Sequence, residues 1–148
     1  MKKYKIPQVK LTYVGKLLSD VQITSSEVAA DIFRDSYKIG EIEYTEHFKV
    51  MYLNRENKVI GIHETSFGGT TCVLVDAKVI FTGALLANAQ AIIACHNHPS
   101  GNIKPSTADD DVVKKLRDAG NILGIKVFDA LIISKDRYFS YSDEERYL

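Results

Sequence analysis

The sequence predicts an α/β domain built as a mixed β-sheet flanked by helices. Short apolar runs of strand length, bounded by turn residues, fall at residues 46–53, 58–66, 91–95 and 125–134. Between them lie longer segments with the 3.6-residue apolar spacing of helices, each opened by a capping residue. The chain is 148 residues long, 45% hydrophobic and 26% charged, which suits one domain with a sizeable core.

Taken in order, residues 5–14 alternate loosely and are expected to form an edge strand or extension within residues 1–23. Thr24 with Glu27 is a capping box that opens a helix to about Tyr37. Residues 46–53 and 58–66 are two strands joined by the polar turn Asn54-Arg55-Glu56-Asn57, and a third strand is expected at 70–75. Asp76 caps a strongly apolar helix containing Val79, Ile80, Leu85 and Leu86, read as the central buried helix. Ala91-Ile92-Ile93-Ala94-Cys95 is a buried strand. The helix after Ser106 puts Val112, Val113, Leu116 and Ala119 on one face, and Gly120 is its expected stop. Strands at 125–134 and 137–141 complete the domain. The aromatic group Tyr138, Phe139 and Tyr141 is read as packing.

The chemistry concentrates in Cys95-His96-Asn97-His98-Pro99-Ser100-Gly101 and Pro105-Ser106-Thr107-Ala108-Asp109. Side chains alternate along a strand, so His96 and His98 point the same way if the strand extends through them. Pro99-Ser100-Gly101 then turns the chain, and Ser106 caps a helix whose first turn holds Asp109. Two imidazoles and a carboxylate are ligands that zinc accepts, and three protein ligands leave one position open, as in catalytic sites. Ser106 with Asp109 is also close to an ordinary capping box, and capping and ligation can coexist. Cys95 alternates away from His96 and, like Cys72, reads as a small buried hydrophobe. His47 and His63 lack metal spacing with another ligand; His47 is expected at the surface or an edge, and His63 to be exposed at a polar strand end.

These motifs, with Thr45-Glu46-His47-Phe48-Lys49-Val50 and Gly68-Gly69, resemble the RadC-like branch of the JAB/MPN metalloprotease family, over residues 24–148. The resemblance implies a single MPN domain of the cytidine-deaminase-like layout. It implies Zn(2+) held by His96, His98 and Asp109, a glutamate general base from an earlier strand, and Ser106 as donor to the oxyanion. Family position favours Glu46 as the base, with Glu64 as the alternative. The chain departs from the family where Ala130 follows Asp129 in place of a histidine, and where Cys72-Val73 replaces a Gly-Thr pair.

The first functional reading is therefore a JAMM-type zinc hydrolase cleaving peptide, isopeptide or other amide bonds, with a peptide or protein substrate. The second is a DNA-repair or mobile-element accessory protein, which the family's name implies. Formal net charge is zero, so the basic footprint of a nucleic-acid binder is missing. Residues 1–23 are also expected to be too short for the helix-hairpin-helix segment that often precedes this domain. A nuclease named for the letters His-Asn-His spreads its residues over long spacers and does not fit. A scaffold without a working site is disfavoured, because the ligand, serine and glutamate candidates are all retained. No apolar stretch follows Met1-Lys2-Lys3-Tyr4-Lys5, and no run is long enough to span a membrane, so a cytoplasmic protein without a signal peptide is expected.

Overall fold

The protein, seen here as a computed structural model, is described over residues 20–68 and 74–148. Its elements are α1 (Ser26–Asp35), a 3-10 turn (Glu41–Glu43), β1 (His47–Leu53), β2 (Val59–Phe67), α2 (Ala77–Leu86), β3 (Ala91–Asn97), α3 (Thr107–Leu123), β4 (Lys126–Ile133) and β5 (Tyr138–Ser140). The strands form one mixed sheet in the order β2-β1-β3-β4-β5. Among the described strands only the β3–β4 pair is parallel; the other three pairs are antiparallel. The parallel pair requires a crossover, which α3 supplies.

Both faces of the sheet are covered. Phe48, Val50, Ile92, Ala94 and Ile132 pack on one face with Ile80, Phe81 and Ala84 of α2 and Val113 and Leu116 of α3. Met51, Leu53, Ile93, Cys95, Leu131 and Ile133 pack on the other with Ala29, Ala30 and Phe33 of α1. Every residue of β1 and β3 is buried. Burial on both faces is why these strands read as near-continuous apolar runs and not as alternating ones.

Several expectations need correction. The α1 cap is Ser25, whose Oγ accepts from Val28 N at 3.2 Å, and not Thr24 with Glu27. Backbone bonds from Ile23 N to Asn57 O and from Val59 N to Val21 O hold residues 21–23 extended, so the helix starts later. Gly120 does not end α3, which continues to Leu123 and stops at Gly124 with φ of 68°. Gly120 is a mid-helix contact instead, because a Cβ there would lie 2.4 Å from Ile125 O. Helix α2 is not the central buried one: Val79 and Leu85 are 40% and 57% exposed. His47 is buried, with Phe67 stacked on its ring and Tyr37 against its edge. His63 is half-buried, its Nδ1 3.1 Å from Tyr52 Oη.

The strand expected at 5–14 lies outside the described residues. So does most of that expected at 70–75, and Leu74 and Val75 are not in a strand. Phe139 and Tyr141 meet edge to face at 5.2 Å with Tyr141 fully buried, as packing requires. Among the described residues no helix is long and apolar enough to cross a membrane.

Candidate metal centre

Sheet direction assembles the site. Strand β3 ends with His96 and Asn97, and His98 follows at once. Strand β1 runs antiparallel to β3, so Glu46, immediately before β1, arrives at the same end of the sheet. Phe48 pairs with His96, and Glu46, two residues earlier, shares the face of Phe48. The chain turns at once after His98: Gly101 N donates to His98 O at 2.9 Å, with Gly101 at φ of 80°, where glycine is favoured. The N-terminus of α3 then brings Asp109 back to the histidines.

The side chains converge. His96 Nε2 and His98 Nε2 lie 3.0 Å apart. Asp109 Oδ1 lies 3.1 Å from His96 Nε2, and Oδ2 lies 3.7 Å from His98 Nε2. Glu46, His96 and His98 each offer a ligand atom, all within 4.8 Å of one another. His98 Nδ1 donates to the Asn102 carbonyl. That bond fixes the tautomer and leaves the Nε2 lone pair facing the cluster, as metal-binding histidines need. Burial works to raise the Asp109 pKa. The hydrogen bond and charge of His96, with the amide and hydroxyl of Ser106, outweigh it and hold the carboxyl well below the usual carboxylate range.

The donor set fits zinc. Two nitrogens on one tetrahedral zinc, each bonded at about 2.0–2.1 Å, lie about 3.3 Å apart, close to the spacing of this histidine pair. To hold zinc, the pair would give up any proton on Nε2 and present two neutral nitrogens beside the ionised oxygen of Asp109.

Ser106 serves Asp109 directly. Its amide and its hydroxyl both donate to Asp109 Oδ2 at 2.7 Å, and its Oγ accepts from Asp109 N at 3.2 Å. The capping box and the approach of Asp109 to the histidines coexist. Glu64 is not brought to the cluster. It pairs in register with Lys49 on the α1 face, its Oε2 2.9 Å from His47 Nδ1 and 3.6 Å from Lys49 Nζ. A cavity of about 310 Å³ opens over the cluster, walled by Phe48, Val112 and Tyr141 and rimmed by Glu46 and Ser106. The Phe48 ring lies nearly parallel to His96 at 6.0 Å.

Two polar residues beside the cluster carry no functional signal in the sequence. Asn97, between the histidines, is fully buried, and strand alternation alone places it on the opposite face. Asp110, next to Asp109, is buried against Tyr141 and Arg146. No local signal distinguishes it from a solvated helix residue.

Residues 23–147 match the family described as the RadC-like JAB domain. The chain belongs to that family. Among similar proteins, a UPF0758 protein of Flavobacterium johnsoniae is 43% identical over 123 residues, covering 83% of this chain and 52% of the relative. One from Caldanaerobacter subterraneus subsp. tengcongensis is 45% identical over 102 residues, 69% of this chain and 44% of its own. One from Staphylococcus carnosus is 38% identical over 129 residues, 86% and 55% respectively. The chain thus spans about half the length of the curated relatives it matches.

Proposed function

We propose that this RadC-like JAB domain is a zinc-dependent hydrolase of peptide, isopeptide or other amide bonds. The observation that carries the reading is the convergence of His96, His98, Asp109 and Glu46 beneath one open cavity. His96, His98 and Asp109 would hold the ion. When bound, zinc supplies Lewis acidity and lowers the pKa of water from about 16 toward about 7.

The chain's own residues do the rest. Glu46, half-buried at the cavity rim, takes the proton of the attacking water and returns it to the leaving amine. Asn102 holds the His98 ring in its tautomer. Ser106 orients Asp109, and its hydroxyl becomes the oxyanion donor on turning from Asp109 Oδ2. Glu64 takes no part, because it is engaged with His47 and Lys49 on the far face. The partner is a peptide or protein carrying the amide. The zero formal charge argues against a DNA-repair role by direct, salt-resistant DNA binding.

The test compares the zinc-loaded protein with Glu46→Gln on a fluorogenic library of peptides, isopeptides and small amides. The variant should keep its zinc and lose activity by on the order of 10²–10⁴-fold, the usual contribution of a positioned base. A fully active Glu46→Gln overturns the assignment of the base. A wild-type protein inert on the whole library, yet forming a tight sequence-dependent complex with duplex DNA at physiological salt, overturns the hydrolase reading.

A further inference from the structure

Asn97 stands between the two histidines of the cluster and faces away from both. Its side chain enters the α1 face and is fully buried. A buried carboxamide has two N–H donors and two acceptor sites to satisfy. Asn97 satisfies all of them. Nδ2 donates to Ile42 O and to Thr45 O, each at 2.8 Å. Oδ1 accepts from His47 N at 2.7 Å and from Tyr37 Oη at 3.2 Å.

Two of these partners flank one residue. The Thr45 carbonyl belongs to the peptide group before Glu46, and the His47 N–H to the group after it. Backbone pairing between β1 and β3 ends at Phe48 and His96. The Asn97 amide takes over where that ladder stops. It grips residue 46 as an antiparallel neighbour does, with one donor and one acceptor. From the β2 side, Gly68 N donates to Glu46 O at 3.1 Å. With its backbone held at both peptide groups, residue 46 must send its side chain to the opposite face. That face carries His96 and His98, within 4.8 Å of the Glu46 carboxylate.

We propose that Asn97 is a positioning residue: its side-chain amide, bonded to the peptide groups on both sides of Glu46, fixes the Glu46 carboxylate beside the His96–His98 pair. The proposal rests on the reading of Glu46 as general base. It accounts for an amide at this place. An aspartate keeps the acceptor for His47 N–H but sets oxygen against the carbonyls of Ile42 and Thr45. An apolar side chain leaves a buried N–H, two carbonyls and the Tyr37 hydroxyl without this partner, which is costly in the interior. Asn97 thus links the strand that carries the histidines to the segment that carries the base, through the thickness of the sheet.

The experiment uses the full chain, zinc-loaded, as wild type, Asn97→Ala, Asn97→Asp and Tyr37→Phe. The last removes the hydroxyl contact and leaves both grips on Glu46. Four readouts are taken: amide hydrogen exchange at His47, zinc content, the crystal structure around Glu46, and kinetics on any amide the wild type cleaves. In Asn97→Ala the His47 amide should exchange roughly 5- to 100-fold faster, the consequence of losing a buried hydrogen bond. Amides at the centre of β1 should stay protected. Zinc should remain at about one per chain, since His96, His98 and Asp109 are all present. Glu46 should swing away from the histidines, and kcat should fall on the order of 10–100-fold with KM nearly unchanged, as expected for a misplaced group. Asn97→Asp should move every readout in the same direction, and it carries the test if the alanine variant does not fold. Tyr37→Phe should move none of them.

An unmoved Glu46 with a protected His47 amide in both Asn97 variants overturns the proposal. So does loss of zinc with Glu46 still in place, because Asn97 would then serve the histidine strand. If exchange and structure change as stated but the wild type cleaves nothing, the hydrolase reading fails and the positioning role stands.

Discussion

Asp109 and Asp110 are adjacent in the first turn of α3, and their environments assign them separate tasks. Asp109 faces the histidines. Asp110, 7% exposed, faces the C-terminal segment. Its Oδ1 accepts from Tyr141 Oη and from Arg146 Nε, both at 2.9 Å, and its Oδ2 accepts from Arg146 Nη2. Asp110→Ala leaves the fully buried Tyr141 hydroxyl without its acceptor, a loss of about 1–3 kcal/mol. The Arg146 side chain is 41% exposed, so its lost ion pair adds only a screened contribution. In a domain of this size each kcal/mol moves Tm by about 2–4 °C, so a fall of roughly 2–12 °C is expected. Zinc content should not change, whereas Asp109→Ala should lose zinc.

The effect has a pH signature. The Arg146 hydrogen bonds hold the Asp110 carboxyl below its ordinary 3.8 against the opposing effect of burial. A carboxyl with a depressed folded pKa contributes stability above its unfolded pKa and loses it as pH falls through the folded value. The gap between wild type and Asp110→Asn should therefore be full at neutral pH and narrow below about pH 4. Thermal melts by circular dichroism from pH 3 to 7, with metal analysis of both variants, are the assay. An Asp110→Ala protein that melts with the wild type, a gap that widens in acid, or zinc lost from Asp110→Ala would show that Asp110 does not have this structural task.

Two further outcomes test the placement of buried groups. Glu64→Gln should leave hydrolysis within about twofold of wild type, because Glu64 lies on the face away from the histidines and is no proton acceptor there. A dead Glu64→Gln beside an active Glu46→Gln would reverse the two assignments. Cys95 is 1% exposed, and burial pushes its thiol pKa up. In a Cys72→Ser background a thiol reagent should label Cys95 only as fast as the protein unfolds, and rapid labelling of the native protein would contradict its position under α1.

The parts of this architecture set by local pattern were legible in the sequence. The apolar runs marked β1, β2, β3 and β4, and strand alternation put His96 and His98 on one face. The capping residue Ser106 placed Asp109 in the first turn of α3. What depended on distant contacts was not legible. The choice between Glu46 and Glu64 turns on register: Phe48 pairs with His96, whereas Lys49 pairs with both Cys95 and Glu64. No spacing along the chain encodes that. His47 is buried because Phe67 and Tyr37 close over it. The start of α1 moved because residues 21–23 pair with the chain at 57–59. Gly120 read as a helix stop, but it is the point where α3 comes close to Ile125. In each case a tertiary contact overrode a sound local signal.

A zinc site made by His96, His98 and Asp109 underlies every catalytic role proposed above, and elemental analysis probes it without a substrate. Wild type, His96→Ala, His98→Ala and Asp109→Ala are purified identically, supplied with zinc, desalted and measured for metal per chain, with circular dichroism to establish folding. About one zinc is expected in the wild type, with most of it lost in each folded variant, as a three-ligand site requires. Full zinc in all three variants, or none in the supplied wild type, would contradict it.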